Sequence, residues 1–248
     1  GYSTDGGKEW KFFNSFPVRP TYPLGGTVAV SSDGKTIVWQ PFKQYPFYTT
    51  DMGETWHKTK GGPMNSDHQD FELGLSNVGI DNAYNTQLVA DRFNSSIFYA
   101  YSAGNFYKSE TRSEIWKIVS TVPGYNASNH VMLVASTYVT GEVWVSSGLG
   151  GLWNTIDGGN TFRKIESVSN ALMVALGAAP PHKNYPTVYV MGTVDGVDGI
   201  FRSDDSGEQW VRIDVASVSC GDNPWTLLGD SQVYGRVYCG TLGRGLFV

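Results

Sequence analysis

Five stretches decide the fold: STDGGKEW (Ser3–Trp10), TTDMGETW (Thr49–Trp56), SETRSEIW (Ser109–Trp116), TIDGGNTF (Thr155–Phe162) and SDDSGEQW (Ser203–Trp210). Four of them follow Ser/Thr-x-Asp-x-Gly-x-x-Trp/Phe, with Asp5, Asp51, Asp157 and Asp205 at the third position. The other is worn, with Thr111 and Ser113 where the Asp and Gly should stand. The third positions fall at 5, 51, 111, 157 and 205, in steps of 46, 60, 46 and 48 residues. A repeat of this period is the signature of a stacked or radial architecture. Each residue type has a structural task. An Asp carboxylate accepts backbone N–H groups inside a tight turn, Gly reaches positive φ without strain, and the aromatic folds back to bury the hairpin. These aspartates, which could also be read as catalytic or calcium-binding carboxylates, are therefore expected to be turn-formers.

Between the motifs a second pattern recurs. GGTVAVS, KTIVWQP, PFYTT and WHKT read as four short strands with turn residues at every break, and the third and fourth flank the motif. QLVAD/IFYAYS/FYKS/WKIVS, MLVAS/VWVSS/LWNT/FRKI and LMVALG/VYVMG/IFRS/WVRI repeat it, and TLLGD/VYCGT/GLFV is a partial copy. A four-stranded unit of this length is a propeller blade. A β-helix would need shorter rungs, and a β-sandwich gives no reason for the period. The expected fold is all-β: an Asp-box (BNR) β-propeller over residues 1–248, a single partial domain with four full blades and partial blades at each end. The strands read apolar on both faces, as sheets packed between sheets require.

Composition agrees. The 248 residues include 30 Gly and 14% aromatics but only 17% charged residues, the balance of a turn-rich β protein. A net charge of −5 with no block of like charges argues against nucleic acid or an anionic membrane as partner. A neutral polymer such as a polysaccharide remains compatible. The longest apolar runs, such as Ala171 to Ala179, are strand-sized, short of the roughly 18 residues that span a bilayer. The chain opens at Gly1 inside a motif, so an excerpt of something longer is expected. Two sequons, at Asn94 and Asn126, lean toward a secreted, glycosylated protein.

In such blades the motif turns mark one end of each sheet, and the variable loops at the other end are the place to seek function. That end carries Phe42, Lys43, Gln44 and Tyr45, the Pro- and aromatic-rich segment Asn14 to Gly26, and a long connection from Thr59 to Tyr84 with Asp67, His68, Asp70 and Glu72. Tyr22, Tyr45 and Trp225 either stack on sugar rings or plug loops onto the blade tops. The acidic loop residues either supply an acid/base pair or form a solvated face. The four His show no metal-ligand spacing, so neither metal nor cofactor is expected. No Gly-x-Ser-x-Gly elbow or phosphate-binding Gly loop occurs. Cys220 and Cys239 flank the last first-to-second-strand hairpin, placed either for a disulfide or as two separate thiols.

GGTVAVSSDGKTIVW, VADRFNSSIFYAYSAGNFYKS, NYPTVYVMGTVDGVDGIFRSDDSGEQWVRI and GDSQVYGRVYCGTLGRGLF resemble the C-terminal domain of glycoside hydrolase family 74. Its members are xyloglucanases and reducing-end-specific oligoxyloglucan hydrolases. The resemblance covers nearly the whole chain in order. It implies two seven-bladed propellers facing across an open cleft, and inverting cleavage of a xylose-branched β-1,4-glucan by one aspartate from each propeller. Neither aspartate carries over. Gly221-Asp222 and Gly229-Asp230 lack the context of the second-domain residue, and Asp230 matches a structural position. No catalytic residue is expected in this chain. Tyr22, Gly25, Gly26, Tyr45 and Trp225 are candidate contacts to polysaccharide on a cleft wall shared with an N-terminal propeller. The worn motif and the Thr59 to Tyr84 loop depart from the family pattern. A non-catalytic extracellular propeller used for binding or scaffolding is the alternative.

Overall fold

The computed structural model describes residues 1–17, 26–41, 44–63, 87–102, 104–122, 124, 131–214, 224–241 and 245–248. Their regular structure consists of β-strands, without a helix. The first sheet is β1 (Thr27–Val30), β2 (Ile37–Gln40), β3 (Phe47–Thr49) and β4 (His57–Lys58). The second is β5 (Gln87–Ala90), β6 (Phe98–Ser102), β7 (Asn105–Ser109) and β8 (Lys117–Thr121). The third is β9 (Met132–Ala135), β10 (Val143–Ser146), β11 (Leu152–Thr155) and β12 (Arg163–Ile165). The fourth is β13 (Val168–Gly177), β14 (Thr187–Val194), β15 (Val197–Ser203) and β16 (Val211–Arg212). A three-stranded sheet follows: β17 (Pro224–Gly229), β18 (Val237–Thr241) and β19 (Gly245–Phe247). Every sheet keeps its strands in chain order, the up-and-down order of a propeller blade. Before them, Tyr2 and Lys11 form an antiparallel bridge around the first motif.

Strand position in the sheet explains burial. In the four-stranded sheets the second strands are the most enclosed. Every residue of β6 and β10 is buried, and all but one of β14. First strands alternate, as in β5 and β9. Fourth strands are largely exposed and carry His57, Lys58, Lys117, Arg163, Lys164 and Arg212. Cations along an outer edge discourage pairing with another chain. The expectation of strands apolar on both faces thus holds for the inner strands and fails at the edge.

The chain divides into two compact units, Gly1–Ala103 with Tyr107–Ile118, and Gly104–Phe106 with Val119–Val248. In the first, Ala29, Val38, Leu88, Ala90, Phe98, Ala100 and Trp116 make one core. In the second, Trp144, Leu152, Val174, Val190 and Phe201 belong to one cluster, and Met173, Tyr189, Ile200, Leu227 and Cys239 to another.

The fourth blade departs from its sequence reading. LMVALG marks only the last part of β13, which begins at Val168 and spans 10 residues, against four for β9. One register shift, between Val168 and Asn170, lies in this added part, and a second, between Ala171 and Met173, lies where it joins LMVALG. Such bulges let a long strand bend without losing its partner. The β14–β15 hairpin closes through Asp195 (φ 48°) and Gly196 (φ 78°), the two positive φ values of a tight hairpin turn.

Candidate functional site

The geometry of the motif turns is repeated five times. The first residue of each accepts the N–H of the fifth: Ser3 Oγ from Gly7 (2.8 Å), Thr49 Oγ1 from Gly53 (2.9 Å), Ser109 Oγ from Ser113 (3.1 Å), Thr155 Oγ1 from Gly159 (2.9 Å) and Ser203 Oγ from Gly207 (2.8 Å). The third residue accepts the N–H of the seventh: Asp5 from Glu9 (3.0 Å), Asp51 from Thr55 (2.9 Å), Thr111 Oγ1 from Ile115 (2.9 Å), Asp157 from Thr161 (3.0 Å) and Asp205 from Gln209 (2.8 Å). The fourth and fifth residues are left-handed throughout, even Arg112 (φ 54°) and Ser113 (φ 73°). Two hydroxyl residues therefore maintain the worn turn. Arg112, held in that strained conformation, reaches out of it. Its guanidinium donates to Asp33 Oδ2 (3.0 Å), Thr36 Oγ1 (3.2 Å) and Ser95 Oγ (2.9 Å), tying the turns of two blades within the first unit.

All four aspartates thus serve the turns. The Thr55 hydroxyl and N–H, with the Thr49 hydroxyl, hold the Asp51 carboxyl well below the usual carboxylate range. At Asp157 burial pushes the value up, but bonds from the Thr161 N–H, the Thr161 hydroxyl and the Thr155 hydroxyl outweigh it and hold it at about 2. The folded pKa lies below the unfolded one, so this stabilisation is present above the unfolded value and lost as pH falls through the folded one. Asp157→Asn is expected to melt at a lower temperature than wild type at neutral pH. The gap should close as pH drops from about 4 toward 2, which thermal melts across that range would measure.

The β1–β2, β5–β6 and β9–β10 turns sit at the same end as the motif turns. The Arg112 N–H reaches Ser96 O (3.0 Å), and the Gly158 N–H reaches Gly141 O (2.9 Å). Asp91 and Asp230 organise two such turns alike. Each accepts two backbone N–H groups (from Phe93 and Asn94, and from Gln232 and Val233) and a tyrosine hydroxyl, Tyr99 at 3.1 Å and Tyr238 at 2.9 Å. The bonds from Gln232 and Tyr238 hold the Asp230 carboxyl below its ordinary range. A carboxylate so engaged is a turn anchor, not a general base.

The opposite, loop end of the first blade gathers two of the candidate contacts. Gly26 precedes β1 with φ 82°, its Cα against the Gln40–Pro41 backbone. Tyr45 is half-buried in the β2–β3 connection, with Lys58 Nζ 4.3 Å from its ring centroid. Gln40 ties this region together. It is buried, and its Nε2 donates to Pro63 O (3.0 Å) and Gln44 O (3.2 Å). The signal for it is a lone amide at the end of the apolar strand IVWQ. In the second unit the corresponding β10–β11 connection is locked to β13 by paired bonds between Gly148 and Ala171.

Tyr22, Gly25, Phe42, Lys43, Asp67, His68, Asp70, Glu72, Asn126, Cys220 and Asp222 lie outside the described residues. So does the side chain of Trp225, whose backbone belongs to β17. Cys239 is buried on β18 among Leu227, Tyr189 and Met191. Asn94 is exposed in the β5–β6 turn. Among the described residues no cluster of metal-ligating side chains occurs, and no helix is long and apolar enough to cross a membrane.

No family model matches the chain. It is 32% identical over 251 residues to a xyloglucanase of Paenibacillus, covering 99% of this chain and 22% of that protein. A xyloglucanase of Acetivibrio thermocellus is 35% identical over 245 residues, covering 99% of this chain and 26% of that one. The fold of a family 74 enzyme of Niastella koreensis superposes with a TM-score of 0.80 at 31% identity, across 99% of this chain and 33% of that one. The chain is a glycoside hydrolase family 74 homologue. It spans about a quarter of the length of these curated relatives. This family 74 segment contributes blades whose carboxylates, where described at the motif turns, are committed to holding turns.

Proposed function

We propose that the chain is part of a secreted glycoside hydrolase that cleaves xyloglucan-type β-1,4-glucan with inversion. The observation that carries this reading is the match to xyloglucanases over 99% of the chain at 32% and 35% identity. In this reading the repeated turns are Asp boxes, and the five sheets are blades of a seven-bladed propeller. Their loop ends line one wall of a cleft completed by an N-terminal propeller. Gly26, Tyr45 and the Gln40-supported connection would lie on that wall, with Tyr22, Gly25 and Trp225 as further sugar contacts. The catalytic aspartates would lie outside this chain. An inverting glycosidase needs an acid and a base on opposite faces of the scissile bond, and the turn aspartates are occupied by N–H donors.

The full-length protein is expected to release xylose-branched oligosaccharides from xyloglucan and to act poorly on carboxymethylcellulose and mixed-linkage glucan. Analysis of the products by mass spectrometry checks this. A folded full-length protein inactive on all three glucans would instead support a binding or scaffolding propeller.

A further inference from the structure

We infer that Asn94 is an attachment site for an N-linked glycan. The sequon Asn94-Ser95-Ser96 forms the β5–β6 turn, and the fold uses every polar group of Asn94 except one. Its backbone N–H donates to Asp91 Oδ1 (2.9 Å), and its carbonyl accepts from the Ile97 N–H (3.0 Å). Its side-chain Oδ1 accepts from the Ser96 N–H (3.0 Å). The amide Nδ2, the atom a glycan would occupy, is the group left to solvent. The turn is stable without it, so substituting Nδ2 removes no bond the structure depends on.

The surroundings favour a sugar as well. Phe93, next in the chain, is 54% exposed. An aromatic face in water is a suitable platform for the apolar face of a hexosamine ring. The neighbouring Ser95 Oγ accepts from Arg112 (2.9 Å). The turn also lies at the motif end of its sheet, through the bond from the Arg112 N–H to Ser96 O (3.0 Å). A glycan there stays clear of the loop end.

The transfer requires a lipid pyrophosphate-linked oligosaccharide as co-substrate. The Asn94 nitrogen bonds to the anomeric carbon, the bond from that carbon to the pyrophosphate oxygen breaks, and the lipid pyrophosphate leaves while the amide gives up one proton. This happens on the extending chain, and the folded turn then accommodates the product.

The full-length protein, secreted from a eukaryotic host, tests this by peptide mass spectrometry before and after treatment with peptide N-glycosidase. The Asn94 peptide is expected only after treatment, with Asn94 converted to aspartate. Asn94→Gln and Ser96→Ala should each abolish the glycoform, the second leaving the Asx turn itself in place. An unmodified Asn94 peptide from untreated, secreted and folded protein overturns the assignment. The readout is a mass, so it stands or falls independently of any hydrolase activity.

Discussion

Gly159→Ala is expected to destabilise the fold far more than Gly196→Ala, although both glycines have positive φ (94° and 78°). Left-handed backbone costs an alanine about 1–2 kcal/mol, and Gly196→Ala should show that cost alone. A Cβ at Gly196 would meet nothing within 4 Å. At Gly159 the Cβ would collide with the ring of Phe106, which is fully buried and packs edge-on against Phe162 (centroids 5.4 Å apart). Neither ring can yield without disturbing its neighbours. Overpacking of this kind costs a further ~1–3 kcal/mol. The two together approach half the stability of a typical domain. Urea titrations should show a shifted midpoint with an unchanged slope, larger for Gly159→Ala by at least 1 kcal/mol, about the smallest overpacking cost. Equal shifts would mean that Phe106 can move aside. The requirement for Gly at this motif position would then be conformational alone.

Ser113 shows why the sequence pattern is only a partial guide to such positions. It stands where Gly159 stands, with φ 73° and complete burial, yet it is tolerated. Its hydroxyl accepts from Trp116 Nε1 (2.8 Å), so the added atoms return a bond in a place built for them. The substitution looks like erosion in the sequence because residue identity does not display the bond between Ser113 and Trp116. Thr111 for Asp keeps an acceptor for the Ile115 N–H (2.9 Å), gives up the charge and the second oxygen, and gains a hydroxyl that donates to Ile115 O (3.3 Å). The repeat, the order of strands and the place of each motif turn between third and fourth strands were legible, since they follow from local chemistry and a regular period.

Other features depend on contacts remote in sequence. Arg112 meets Asp33 across 79 positions, and nothing in SETRSEIW announces that reach. Gln40 is informative only once Pro63 and Gln44 are seen converging on its amide. The length of β13 was hidden for a different reason. VSNA precedes LMVALG and carries the polar Ser169 and Asn170, and the bulges that let these residues join the sheet have no fixed composition. Of the candidate wall, composition suggested aromatics in the loops. Which of them face a ligand depends on how those loops close, and a period of 46 residues carries no information about that.

The second large effect is expected at Trp144. Trp144→Ala should destabilise the second unit by about 3–5 kcal/mol, because this indole is fully buried at the centre of the cluster containing Leu152, Ile165, Val190 and Phe201. Its Nε1 also donates to the Tyr185 hydroxyl (3.2 Å), which in turn donates to the buried Glu142. Burial and the neighbouring Glu142 carboxylate push the Tyr185 phenol well above its ordinary range, so the phenol stays a neutral donor. Trp144→Phe separates the two contributions. It keeps most of the apolar contact and loses the bond to Tyr185, for which about 1–2 kcal/mol is expected. Leu149→Ala, at a side chain 75% exposed, should change stability by no more than about 0.5 kcal/mol. Hydrogen exchange of the β10 peptide is the measurement suited to a chain of two compact units, since it reads local opening without requiring a single global transition. The argument is strongest if protection of β10 falls steeply in Trp144→Ala, less in Trp144→Phe, and not at all in Leu149→Ala. If Trp144→Phe falls as far as Trp144→Ala, the Tyr185–Glu142 network, rather than apolar packing, holds the third and fourth sheets together.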